Sequence, residues 1–265
     1  MPDNASSDHS PQRVLVTGGT SGIGRAMVQA FLAADATVHV ADLAGTPPDG
    51  ASMTRTDVSD EDSVDGLFDA VEEQLGGLDV LCNNVGIAGP TGPIEDLDVG
   101  DWDQTMAVNV RSMFLVCRRA VPLLRRSGGG SILNTSSTAG ITGYPMRSPY
   151  ATSKWAVVGL GATLAMELGE LGIRVNTICP GSVGGDRMDR VIAAEATATG
   201  TREAEIRTGY ENQVSMRTFV DAEDIASMAV FLASPAARLV NGQTISVDGG
   251  LETLRNTWRT GTADG

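Results

Sequence analysis

The chain has 265 residues, 42% of them hydrophobic, and a formal net charge of −14. That length supports one large domain with a well-buried core, and the acidic balance argues against the clustered basic face that nucleic-acid binding requires. Three cysteines, Cys82, Cys117 and Cys179, lie in apolar surroundings without ligand spacing, and the two histidines, His9 and His39, fall in a polar N-terminal stretch and an apparent strand. A metal site is therefore not expected, and the thiols read as buried in a reducing compartment.

Residues 1–10 contain neither a basic segment nor an apolar core, and no run of 18 apolar residues occurs. The sequence thus predicts no membrane span and a cytoplasmic protein, with a single domain over 11–255 between flexible tails at 1–10 and 256–265.

A short β-branched strand over Arg13–Thr17 runs into a turn carrying Gly18, Gly22 and Gly24, and apolar residues at helical spacing follow to Leu32. A strand, a glycine turn and a helix in this order let a helix N-terminus face a pyrophosphate at a distance a Cβ would block. The second strand, residues 37–41, ends at Asp42, a carboxylate placed to accept from a ribose diol and to repel a 2′-phosphate. Ser21, inside the turn, adds no basic group, so NAD is expected over NADP. A third strand over residues 53–56 ends at Asp57, which either touches an adenine edge or serves the cap of the helix that runs on to Leu75.

The next apolar strand, residues 78–82, closes on Asn83, Asn84 and Gly86, amides and a glycine that can brace a backbone while leaving room for a ring or sugar. Asp101 is expected to cap a long helix that carries Asn109 inside it and runs towards Leu124. An interior asparagine either bonds into a network or faces water. The fifth strand, residues 131–135, delivers Ser137 to its C-terminal end. Ser148 and Pro149 then read as the cap and first residue of a helix that places Tyr150 and Lys154, the chain's one lysine, four apart on one face. A cation beside a phenol favours the phenolate, so the pair reads as a tuned acid/base; the plain alternative is an ordinary surface pair. A sixth strand over residues 173–178 leads to Pro180 and Gly181. The polar, helix-prone segment 182–216 reads as a lid, and the last strand, residues 243–247, ends at Asp248, Gly249 and Gly250.

Alternating strands and helices imply a Rossmann-like doubly wound parallel α/β sheet of about seven strands with helices on both faces. The motifs Thr17-Gly18 to Gly24, Asp42, Asp57-Val58, Asn83-Asn84 with Gly86, Asn109, Ser137, Tyr150 with Lys154, Pro180-Gly181 and Asp248 to Gly250 resemble, in order and spacing, the short-chain dehydrogenase/reductase family. That resemblance implies a catalytic tetrad of Asn109, Ser137, Tyr150 and Lys154. Tyr150 would be the general acid/base, Ser137 would orient the substrate oxygen, Lys154 would hold the nicotinamide ribose and lower the tyrosine, and Asn109 would hold a water in the proton relay. It also implies cofactor contacts at Gly18, Thr20, Ser21, Gly22, Ile23 and Gly24. Further contacts would come from Asp42, Asp57, Val58, Asn84 and Gly86, from Tyr150 and Lys154, and from Pro180, Gly181 and Val183. The expected partners are a small alcohol or ketone and three further copies of the chain in a homotetramer.

Two positions depart from the family pattern. Val85 replaces the usual small alanine, and Gly185 stands where a threonine commonly bonds the carboxamide, a contact left to Ser182 or a backbone amide. Around the expected substrate space, Tyr144, Arg147, Arg187 and Arg190 either favour a hydroxylated or anionic molecule such as a sugar or hydroxy acid, or are solvated or paired with Asp186 and Asp189. The alternatives are a 3-oxoacyl-type reductase, whose usual NADP Asp42 disfavours, and a non-catalytic NAD-binding regulator, which retention of both tyrosine and lysine argues against.

Overall fold

A computed structural model describes residues 11–251; both expected tails, with His9, lie outside the described residues, and so does the side chain of Arg187. In chain order the elements are β1 (Arg13–Thr17), α1 (Gly22–Ala33), β2 (Thr37–Asp42), β3 (Ser52–Arg55), α2 (Glu61–Leu75), β4 (Val80–Asn83), α3 (Val99–Met106) and α4 (Ser112–Arg126). They continue with β5 (Gly130–Thr135), α5 (Ser148–Leu168), β6 (Ile173–Pro180), α6 (Asp186–Thr199), α7 (Glu203–Asn212), α8 (Ala222–Ala233) and β7 (Thr244–Val247). The seven strands form one parallel sheet in the order β3-β2-β1-β4-β5-β6-β7. The order reverses between β1 and β4, which opens a crevice at the C-terminal ends of those strands.

The central strands are buried along nearly their whole length, as continuous apolar runs such as Val14 to Val16 and Val80 to Cys82 require when helices cover both faces. One apolar layer joins the sheet to α1 and α8 through Met27, Phe31, Ile225 and Leu232; the other joins it to α2, α4 and α5 through Leu67, Phe68, Leu124 and Ala165. The edge strands β3 and β7 are only partly buried, and β7 alternates between exposed and half-buried residues.

Local signals account for several helix ends. Asp60 accepts from the Ser63 N–H at 2.8 Å at the start of α2, and Gly76 closes that helix in the left-handed region at φ 68°. Asp221 and Asp224 form a reciprocal capping box on α8. Two expected caps are displaced. Asp98, not Asp101, caps α3 by accepting from Gly100 and Asp101, and Arg147 rather than Ser148 occupies the cap position of α5, with Pro149 in the first turn. The long helix expected through Asn109 does run on from α3 to α4, but residues Ala107–Arg111 between them form a π-helical turn.

At the opposite, N-terminal edge, Arg13 clasps Asp79 in an ion pair of 2.7 Å and also donates to Ser127, tying β1 to the entry of β4 and the end of α4. A cavity of about 700 Å³ opens beside this pair, between the starts of β5 and β6 and the end of α8. It lies at the strand ends away from the crevice, and Arg174 there donates to the terminal carbonyls of α8 at Leu232 and Ala233, a cation at a helix C-terminus.

Candidate active site

The crevice between β1 and β4 is built around the glycine turn. Gly18 and Gly22 take φ of +68° and +51°, and a Cβ on Gly24 would fall 2.0 Å from the Gly18 carbonyl oxygen, so these positions require glycine. Beyond its chain neighbours and its own helix backbone, no atom among the described residues lies within 4 Å of where a Cβ on Gly22 would be. Ser21 caps α1 without a side-chain hydrogen bond, and the first turn of α1, with Ile23, holds no acidic residue. The free N–H groups of that turn therefore face open space with the positive end of the helix dipole behind them, which fits a dinucleotide pyrophosphate. Asn84 braces the turn from β4: its N–H donates to Thr17 Oγ1 at 2.9 Å and its Nδ2 to the Gly18 carbonyl at 3.4 Å. Val85 packs on the same turn, its Cγ2 lying 3.2 Å from the position of a Cβ on Gly18.

Asp42 ends β2 beside this turn. One carboxylate oxygen accepts from the Thr20 hydroxyl at 2.7 Å and the Thr20 N–H at 3.1 Å, and the other accepts from the Leu43 N–H at 2.8 Å. A carboxylate has about four acceptor sites, so a ribose hydroxyl can still be received. Arg25, the basic residue of the turn, is engaged on the carbonyls of Thr20 and Thr46. Asp57 accepts on one oxygen from the Ser59 N–H and hydroxyl at 2.9 and 2.7 Å, while Asp60 takes the cap position of α2, and the Val58 side chain is buried in the core and leaves its main chain for a ligand.

Lys154 and Tyr150 stand at the C-terminal end of β5. Lys154 is only 4% exposed; its Nζ donates to the Thr135 carbonyl at 3.1 Å and lies 5.7 Å from the centre of the Tyr150 ring. Tyr150 belongs to the first turn of the 21-residue α5, where the helix dipole adds to the positive field around the phenol. Ser137 follows β5 as the cap of a 3-10 turn and accepts from the Ala139 N–H at 3.2 Å, which leaves its O–H to donate elsewhere. Its neighbour Ser136 is structural: buried, it donates to the Lys154 carbonyl at 2.8 Å and locks α5 to the strand end. Gly86 makes room, since a Cβ there would come within 3.2 Å of Lys154 Nζ and 3.3 Å of Asn109 Oδ1.

Asn109 is fully buried within the π-turn. Its Oδ1 accepts from the Ile87 N–H at 2.7 Å, and its Nδ2 donates to the Ile87 carbonyl at 3.0 Å and to Ser153 Oγ at 2.9 Å. Ser153 in turn donates to the Tyr150 carbonyl at 2.7 Å. The side chain is thus spent on joining the loop after β4 to α5, so a relay water would fall to the main chain, which a π-turn distorts from the regular ladder. The π-turn, Ser153 and the Thr135 carbonyl carry no distinctive sequence signal.

On the far side, Pro180 and Gly181 end β6 against Asp248, which leaves no space for a Cβ on Gly181. Val183 bridges Val220, and the Ser182 carbonyl accepts from the Val220 N–H at 3.0 Å, so the chain is anchored before α6 begins; Gly185 is exposed at φ +114°. The α6 and α7 helices form the segment expected as a lid. Arg207 pairs with Asp189, and the Tyr210 hydroxyl donates to Glu195 at 2.8 Å. Burial, then Glu195, pushes the Tyr210 phenol upward. Arg147 donates to the Ala88 carbonyl at 2.8 Å, and Arg190 is exposed.

Residues 18–252 match the family model described as enoyl-(acyl carrier protein) reductase. The chain belongs to the short-chain dehydrogenase/reductase family. This dehydrogenase is 34% identical to 3β-hydroxysteroid dehydrogenase 2 of Eggerthella lenta over 91% of its own length and 96% of that protein's. It is also 34% identical to trans-4-hydroxycyclohexanecarboxylate dehydrogenase of Sinomonas cyclohexanicum, over 96% and 97% of the two chains. Among solved structures it superposes on the aldohexose dehydrogenase of Thermoplasma acidophilum with a TM-score of 0.87 at 29% identity, covering 95% of this chain and 97% of that one. Levodione reductase gives a TM-score of 0.84 at 31% identity, covering 90% and 96%. As a short-chain dehydrogenase the protein is an oxidoreductase acting at CH–OH groups, in a family that works with a nicotinamide cofactor.

Proposed function

We propose that the protein is an NAD-dependent dehydrogenase that interconverts a secondary alcohol and a ketone, with Tyr150 as general acid/base. The observation that carries this reading is the buried Lys154 ammonium against the Tyr150 ring at the C-terminal end of the sheet. A desolvated cation there stabilises the phenolate, the form that can remove a proton from an alcohol. Bound in the crevice, the nicotinamide supplies the chemistry of hydride acceptance from the carbinol carbon. Tyr150 takes the hydroxyl proton as that carbon is oxidised, and returns it in the reverse direction. Ser137 donates to the substrate oxygen and fixes its place beside the phenol. Asn109 and Gly86 hold the loop after β4 so that Lys154 keeps its position.

The choice of NAD rests on Asp42, whose charge opposes a 2′-phosphate, and on the commitment of Arg25 to main-chain carbonyls. Titrating cofactor fluorescence should show NADH bound at least ~100-fold more tightly than NADPH, and Asp42→Ala should shrink that ratio towards unity. Equal affinities in the unaltered protein would remove Asp42 from the cofactor site.

For the substrate we favour a compact polar alcohol, such as a polyol, sugar or hydroxy acid. Tyr144, Tyr150, Ser137, Tyr210 and Glu195 bring hydroxyls and a carboxylate around the cleft, while Arg147 and Asp189 are already engaged. Relatives named for steroid, cyclohexanecarboxylate and D-threitol substrates bracket this choice. A screen of polyols, sugar acids, hydroxy acids and cyclic alcohols for NADH production tests it, and activity confined to steroids would reverse it. Exposed Phe114 on α4 and Trp155 and Met166 on α5 support a homotetramer with these helices at one interface, and three buried free thiols support a cytoplasmic location.

A further inference from the structure

The loop before α5 places a second cation on the catalytic ring. The Arg147 guanidinium carbon lies 5.0 Å from the centre of the Tyr150 ring and 5.9 Å from that of Tyr144, while Lys154 Nζ is 5.7 Å from the Tyr150 ring. Both cations fall within the range in which a ring face attracts positive charge, and the attraction grows when the ring is a phenolate. Arg147 is also fixed in place: it donates to the Ala88 carbonyl at 2.8 Å, and the adjacent Met146 carbonyl accepts from the Gly92 N–H at 2.9 Å. Its Nε is buried with no hydrogen-bond partner among the described residues, so the guanidinium is held there although one donor goes unsatisfied.

Building on the role of Tyr150 proposed above, we propose that Arg147 is a positioning residue for the acid/base step: it pins the Tyr150 ring to the loop after β4 and, together with Lys154, surrounds the phenol with two positive charges. Arg147 stands at the cap position of α5, three residues before the tyrosine, and Lys154 lies inside the helix four residues after it. Other titratable groups around the ring do not supply this charge. Cys179 on β6 is a thiol that burial pushes up, and Asp248 after β7 acts on it with a negative charge. Tyr144 and the Tyr210–Glu195 pair on the lid are neutral or acidic, Asp101 and Asp103 on α3 are exposed, and the loop from Asn84 to Gly92 has no charged residue.

The chain contains three tyrosines, Tyr144, Tyr150 and Tyr210, so tyrosinate absorbance followed against pH, without cofactor or substrate, isolates Tyr150 as the difference between the unaltered protein and Y150F. In the unaltered protein the midpoint should lie clearly below the ordinary phenol value near 10. R147M should raise it by about 1 pH unit, and R147K, which keeps the charge but not the planar fork, should hold it near the unaltered value. If R147M does not fold, R147Q makes the same comparison. An unchanged midpoint in the neutral variant, with a depressed one in the unaltered protein, overturns the role of Arg147 while leaving Tyr150 and Lys154 as proposed. An ordinary midpoint in the unaltered protein overturns both.

Discussion

Replacing Tyr150 by Phe removes one oxygen and leaves the ring between Arg147 and Lys154. Turnover should fall by at least ~1000-fold while NADH affinity changes little, because the interactions of the ring survive and only the proton-transfer group is lost. Steady-state rates beside a fluorescence titration make the test, and retained activity would end the acid/base assignment. The four-residue spacing of Tyr150 and Lys154 was legible in the sequence because helix geometry puts i and i+4 on one face. The involvement of Arg147 was not. It precedes the helix, so no periodicity relates it to Tyr150, and an arginine in a loop reads as solvated until its guanidinium is seen stacked.

At the scale of elements, the π-turn at Ala107–Arg111 sets where Asn109 points. Asn109→Ala would leave the Ile87 N–H and carbonyl and the Ser153 hydroxyl short of a buried partner. Unfolding in urea should show a loss of about 2–3 kcal/mol, and kcat should drop with it as the loop after β4 loosens around Lys154. A variant as stable and as active as the parent would show that the loop holds itself. The sequence pointed to this residue as an anomaly inside a helix, and left open whether it faced water or a network. The structure decides for the network, since three of its side-chain bonds are made within the chain. The displaced caps have a similar reason: Asp98 and Asp101 are both competent, and the path of the preceding loop selects between them.

At the scale of the whole molecule, Asp79 and His39 among the described residues make stability depend on pH on the acid side. Burial alone would raise the Asp79 carboxyl, but hydrogen bonds and charge from Arg13 outweigh it and hold the group below its ordinary value near 3.8. That contribution is complete above the unfolded value and drains away as pH falls from there through the folded one. His39, buried between the Ser52 and Thr54 hydroxyls at 2.7 and 2.9 Å, is lowered from 6.5 by burial. The folded chain therefore binds its proton less readily than the unfolded one, and this stability is present above about 6.5 and is lost as pH falls below it. Urea unfolding across pH should show one decline starting near 6.5 and another below about 3.8, and His39→Gln should flatten the first alone. A first decline that persists in the variant would assign it elsewhere.

The sequence by itself determined the alternation of strand and helix, the parallel sheet, the glycine turn with Asp42, and the pairing of Tyr150 with Lys154. Each rests on local order: β-branched runs, glycines where a Cβ is forbidden, and helical spacing. Only the tertiary structure decided that Ser136 and Ser153 brace the site, that Thr20 bonds Asp42, and that Asn109 is consumed in holding a loop. Apart from the local bond of Ser153 to Tyr150, those partners are separated by 18 to 44 residues, and Ser153 and Ser136 look no different in sequence from a solvated serine. Which hydroxyl meets which carbonyl is fixed by how the crossovers stack the helices on the sheet, and no local pattern carries that information.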